Sequence, residues 1–140
     1  TGVPMNMKKA FAFVLAFGFA VSIASADQII TKPVQFAAGS NSATVKGTVK
    51  GYDSVDYTLV AKAGQTMSVK MTTSNASSYF NVLPPGSTGE AIFIGSSEGN
   101  NYSGVLPASG KYTVRVYLMR NAARRNETAS YSVNFKITGK

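Results

Sequence analysis

Two arginines stand four residues apart, Arg120 and Arg124, in the run Arg120-Asn121-Ala122-Ala123-Arg124-Arg125-Asn126-Glu127. If this run makes even one helical turn, positions i and i+4 share a side, and two guanidinium groups project together. A guanidinium presents a planar fork of donors that matches a carboxylate or phosphate bidentately, and unlike an ammonium it stays charged in a partly dry interface. The chemistry on offer is recognition of an anionic group. The same composition also suits a solvated loop kept soluble by charge, and the residue types alone leave the two readings level.

The acidic residues offer less. Asp53 and Asp56 are the closest pair among only six. Two carboxylates can run glycoside hydrolysis or, with more oxygens, hold a hard cation. No third carboxylate lies near them in sequence, and aspartate in turns commonly bonds its own backbone. With no histidine and no cysteine, Ser-His-Asp and Cys-His arrangements, zinc sites and thiol redox chemistry are excluded. Serine activation of the Ser-x-x-Lys kind has no candidate either. We expect no enzyme, no cofactor and no metal. Tyr52, in a Gly51-Tyr52-Asp53 turn, is either an exposed aromatic available to a partner or an ordinary lid on the edge of the core.

These residues must be positioned by strands. Tyr112, Val114, Val116 and Leu118 alternate on one face of a run that ends at Met119, and Tyr131, Val133, Phe135 and Ile137 alternate in the next run. Period two is the signature of a half-buried strand. The arginine segment between them has no large apolar residue and is expected to sit in water or on a partner. Further strands are read at Ile29 to Phe36, an edge because Pro33 cannot donate to a ladder, and at Ala43 to Lys50. Asp56 to Ala61 and Thr66 to Thr72 read as a hairpin around Lys62-Ala63-Gly64-Gln65. Tyr79 to Leu83 and Ala91 to Ile94 follow, and Tyr102 to Leu106 is expected to pair with Lys111 to Met119. About eight short strands, separated by turn signals and with no useful helical periodicity, predict an all-β antiparallel β-sandwich.

Residues 1–26 are expected to lie outside that domain, which then spans 27–140. After Met5 or Met7, Lys8 and Lys9 form a basic start, Ala10 to Ile23 an apolar run shorter than the roughly 20 residues of a membrane-spanning helix, and Ala24-Ser25-Ala26 a small-residue cleavage site. Thr1 to Pro4 precede the first methionine. The protein is expected to be exported, cleaved before Asp27, and soluble in the periplasm or outside the cell, with no membrane partner after cleavage and no cysteine for lipid attachment or disulfides. The formal charge of +8, less Lys8 and Lys9, leaves +6. That balance favours acidic partners, while export argues against nucleic acid.

Gly51-Tyr52-Asp53, Tyr57-Thr58, Ala61-Lys62-Ala63-Gly64-Gln65, Leu106-Pro107-Ala108-Ser109-Gly110-Lys111-Tyr112, Arg115-Val116 and Arg120-Asn121-Ala122-Ala123-Arg124-Arg125-Asn126 resemble, in order and spacing, the periplasmic inhibitors of goose-type (g-type) lysozyme. The similarity runs from about Val45 to Ile137. It implies an eight-stranded β-sandwich that inserts a loop into the substrate cleft of a muramidase and so protects peptidoglycan. It further implies that the partner is a goose-type lysozyme and that Tyr52, Arg120 and Arg124 make the contact, with Asp53, Asn121 and Arg125 as rim residues. Between Ser74 and Asn101 the chain is rich in glycine and serine and departs from the family pattern, so no contact carries over there. Leu-Pro-Ala-Ser-Gly-Lys-Tyr on its own also resembles a turn of pre-peptidase C-terminal domains. That leaves an alternative, an exported module that binds envelope glycan or peptide through exposed aromatics such as Tyr52, Tyr102 and Tyr117.

Overall fold

The computed structural model describes residues 27–139, so the leader expected at 1–26 lies outside the described residues. Nine strands are described: β1 Ile29–Pro33, β2 Ser42–Lys50, β3 Ser54–Ala61, β4 Thr66–Thr73, β5 Ser78–Leu83, β6 Phe93–Ile94, β7 Asn101–Val105, β8 Gly110–Leu118 and β9 Thr128–Thr138. Two short helices, α1 Gly95–Glu98 and α2 Arg120–Arg124, interrupt them. A five-stranded sheet in the order β1-β3-β8-β5-β6 packs on a four-stranded sheet in the order β2-β9-β4-β7. All pairs are antiparallel except β1 with β3. The expected all-β sandwich is present.

Alternation decides what the layers bury. Tyr112, Val114 and Val116 of β8 and Tyr131, Val133 and Phe135 of β9 all point into one core shared with Phe80, Val82, Met67 and Val69. Removing a valine or phenylalanine side chain from water contributes about 1.5–3 kcal/mol each, and in a chain with no cysteine this burial carries the fold without disulfides. One inward position of β2 holds no side chain. At Gly47 a Cβ would lie 2.7 Å from Tyr131 Cζ, and the space is used by the hydroxyls of Tyr57 and Tyr131, which meet at 2.8 Å. Burial and that hydroxyl contact push the Tyr131 pKa up, since neither offers a home to a phenolate.

Two pairings differ from expectation. β3 and β4 do not form a hairpin: β3 pairs with β1 and β8 in one sheet, β4 with β7 and β9 in the other. Likewise β7 and β8 do not pair with each other, because they too belong to opposite sheets. Both connections are arches that cross the core, and they satisfy each other. Gly64 donates to the Leu106 carbonyl at 2.9 Å, Leu106 donates to the Gln65 carbonyl at 2.8 Å, and the Ala63 amide donates to Ser109 Oγ at 2.9 Å. The apolar faces of consecutive strands therefore oppose each other across the sandwich instead of lying side by side. The first strand is also shorter than read, ending at Pro33 on the sheet edge, and of the Ala91 to Ile94 fragment only Phe93 and Ile94 form the strand, with the Ile92 amide adding a bond to the Val82 carbonyl at 2.8 Å.

Candidate functional site

The turn after β2 and the helix before β9 meet at one end of the sandwich. β2 and β9 pair as far as Lys50 with Thr128, which sets the two connections side by side. The Gly51 amide donates to the Glu127 carbonyl at 2.9 Å. Gly51 sits at φ 60, in the left-handed region that glycine occupies without penalty, and a Cβ there would lie 2.6 Å from Asn126 Oδ1. Asn126 itself has φ 59, a conformation asparagine tolerates better than most residues. The Asp53 amide closes the turn on the Lys50 carbonyl at 3.1 Å, and Asp53 Oδ1 accepts the Gln28 amide at 2.9 Å. Tyr52 is left at the tip, 49% exposed.

Helix α2 is held by small residues. Ala122 and Ala123 are buried on the end of the core, and their carbonyls accept the amides of Glu127 and Asn126. Met119 donates to the Ser77 carbonyl at 2.9 Å, fixing where the helix begins. The arginine segment is therefore not wholly in water, as its lack of large apolar residues suggested: two methyl groups are enough to seat one turn. Alanine costs no side-chain entropy on burial.

The single turn projects Arg120 and Arg124 outward from i and i+4, both exposed. Among the described residues neither meets a carboxylate within ion-pair distance. Arg125 differs, since its guanidinium reaches Glu127 Oε2 at 2.7 Å. Glu127 Oε1 also accepts Asn75 Nδ2 at 3.0 Å, and these bonds, Asn75 first and Arg125 second, hold its carboxyl below the usual glutamate range. Asn121 turns back on its own helix, where Oδ1 accepts the Ala122 amide at 2.8 Å. Tyr52, Arg120 and Arg124 thus share one end with no side-chain hydrogen bond or ion pair among the described residues, whereas Asp53, Asn121 and Arg125 are engaged in shaping it.

Asp56 does not face Asp53. Its carboxylate is gripped bidentately by Arg115 across the β3–β8 ladder, at 2.7 and 2.9 Å, with the two side chains 11% and 28% exposed. That bond, with a smaller opposing effect of burial, raises the Arg115 pKa further. The pairing of positions 56 and 115 follows from the register of β3 with β8, which the hairpin expected from the sequence puts elsewhere, so nothing in the sequence pattern marks Arg115 as the partner of Asp56. The aromatics of the envelope-module alternative are not a common platform either. Tyr102 points inward against Phe93 with ring centroids 5.1 Å apart, and the Tyr117 hydroxyl is tied to Asn81 Oδ1 at 2.9 Å.

No family model matches the sequence. A curated protein does: the "Inhibitor of g-type lysozyme" of Escherichia coli strain K12 is 39% identical over 106 residues, 74% of this chain and 78% of that protein. The chain belongs to the family of g-type lysozyme inhibitors. Its fold agrees with that placement. The crystal structure of Aeromonas hydrophila PliG, described as a periplasmic inhibitor of g-type lysozyme, matches at a TM-score of 0.74 with 48% identity, over 81% of this chain and all of the other. Members of this family inhibit an enzyme and are not enzymes themselves. A pre-peptidase C-terminal domain of collagenase from Bacillus anthracis matches at 14% identity and a TM-score of 0.51, over 81% of this chain and 98% of the other, a likeness of fold alone. No helix among the described residues is long and apolar enough to cross a membrane.

Proposed function

We propose that this protein binds and inhibits a g-type lysozyme by presenting Tyr52, Arg120 and Arg124 to the cleft in which the enzyme cleaves peptidoglycan. The observation that carries this reading is the joining of the Gly51–Asp53 turn to the Ala123–Glu127 segment, beside two arginines that have no counter-ion among the described residues. Glycosidases act through carboxyl groups in a cleft. A guanidinium entering that cleft pairs with a carboxylate and occupies the space of the sugar. The buried alanines and the Gly51 bond hold the arginine backbone in place beforehand, so less freedom is lost on binding. Tyr52 supplies rigid apolar area beside the charges, and Asp53, Asn121 and Arg125 form the rim.

The test is a titration of muramidase activity. Purified protein lacking residues 1–26 should abolish hydrolysis of cell walls by a goose-type lysozyme as it approaches molar equivalence. Full activity at micromolar excess of the protein would refute the function.

A further inference from the structure

The outer face of the four-stranded sheet has a composition that the proposed Tyr52 and arginine contact does not use. Every outward position of β2, β4, β7 and β9 is serine, threonine, asparagine or lysine, apart from Val105 at the rim. Four lysines, Lys46, Lys50, Lys70 and Lys136, stand on it, and no acidic or aromatic residue does. The register makes this a continuous field. Lys70 lies opposite Asn134 and Lys136 opposite Ser68 on paired strands, so the two lysines are diagonal neighbours, about 7–8 Å apart in this geometry. Lys46 follows one row further, opposite Ser132. None of the four meets a carboxylate within ion-pair distance among the described residues. Between them, amides and hydroxyls are held in order: Asn134 Nδ2 donates to Thr44 Oγ1 at 2.9 Å and to Ser42 Oγ at 3.1 Å.

We infer that this face docks on an acidic, hydroxyl- and amide-bearing glycan, namely the peptide-substituted wall polymer that lysozymes attack. Uncompensated ammonium groups in a row match a polymer that carries carboxylates at intervals, as the wall glycan does on its peptide branches. The ordered hydroxyls and amides match its sugar hydroxyls and acetamido groups. The absence of aromatic side chains leaves nothing for nucleobases to stack on, and the absence of large apolar residues leaves nothing to enter a bilayer. The face ends at Lys50 and Thr128, immediately before the Gly51 turn. A protein lying on the wall by this face would keep its Tyr52 and arginine end free, held where the enzyme must work. The choice of polymer rests on the inhibitor reading; the presence of the cationic face does not.

Co-sedimentation with purified peptidoglycan sacculi tests it, with no lysozyme present, so that its outcome is independent of inhibition. Wild-type protein should sediment with sacculi at low ionic strength and be released at about 0.5 M salt, where charges more than a few ångströms apart are screened. The triple variant Lys46→Gln/Lys70→Gln/Lys136→Gln should bind about tenfold more weakly yet inhibit as wild type does, while Arg120→Ala/Arg124→Ala should sediment within about twofold of wild type. Sacculi whose carboxylates have been amidated should lose the protein. Sedimentation that survives either the triple variant or amidation would overturn the proposal, as would a wild-type protein that stays in solution. Equal or tighter binding to DNA or to anionic lipid vesicles at the same salt would overturn the glycan as its occupant.

Discussion

The amide of Gly51 and the carbonyl of Glu127 are joined at 2.9 Å, and this bond ties the turn that displays Tyr52 to the segment that displays Arg120 and Arg124. Seventy-odd residues separate the two in sequence, yet they form one end because β2 and β9 run side by side up to it. Gly51→Ala should therefore act on function out of proportion to its size. Its left-handed φ makes an alanine cost about 1–2 kcal/mol, and the new Cβ meets Asn126 Oδ1. A denaturant melt should show that loss, and lysozyme inhibition should weaken in the fraction that remains folded.

Core and site separate energetically. Val114 and Val133 are fully buried in opposite sheets, so truncating either to alanine should cost about 1–3 kcal/mol, whereas Arg124→Ala, exposed and without an ion pair, should cost under about 0.5 kcal/mol. Equilibrium denaturation of the three variants compares them directly. An Arg124→Ala protein as unstable as the valine variants would make that arginine structural.

Glu127 gives a pH signature. Its carboxyl is held below the usual glutamate range by Asn75 and then Arg125, so the folded state binds that proton less readily than the unfolded chain. The stabilisation is fully present above the ordinary glutamate range and is lost as pH falls through the depressed value. An NMR titration of Glu127 should show the lowered midpoint, and Asn75→Ala should move it back toward the ordinary value.

Cleavage before Asp27 is expected from Lys8 and Lys9, the apolar run and Ala24-Ser25-Ala26. The fold engages the chain immediately afterwards, since Gln28 bonds Asp53 and Ile29 opens β1. N-terminal sequencing of protein recovered from the cell envelope should read Asp27-Gln28-Ile29. An intact Met5 or Met7 would contradict it.

What was legible in the sequence was periodicity. Alternation at Tyr112 to Leu118 and at Tyr131 to Ile137 marked two buried strand faces correctly, and Pro33 marked an edge. Pairing was not legible, because a period of two says which face is buried and nothing about which strand lies alongside. Asp56 to Ala61 and Thr66 to Thr72 have the alternation of a hairpin for that reason, although they lie in different sheets. In the same way, Asp56 looked like a second carboxylate for Asp53 until register placed Arg115 beside it. The arginine turn was visible as i and i+4 chemistry, but its anchor was not: Ala122 and Ala123 carry too little apolar area to show as a buried face in any hydrophobic pattern. The nearness of Tyr52 to that turn depends on a contact distant in sequence, and only the ordered resemblance to a known family suggested the two belonged together.

The central claim is that inhibition resides in Tyr52, Arg120 and Arg124, and it is tested most directly by residual goose-type lysozyme activity against inhibitor concentration for wild type, Arg120→Ala, Arg124→Ala and the double variant. Desolvated arginines paired with a carboxylate behave as hot spots, so each single change should weaken inhibition by about 2 kcal/mol or more, roughly thirtyfold. Lysine at either position should restore little, because a point charge does not reproduce the bidentate fork, and Lys70→Ala, on the outer face of the four-stranded sheet, should leave inhibition unchanged. Full inhibition by the folded double arginine-to-alanine variant would contradict the account.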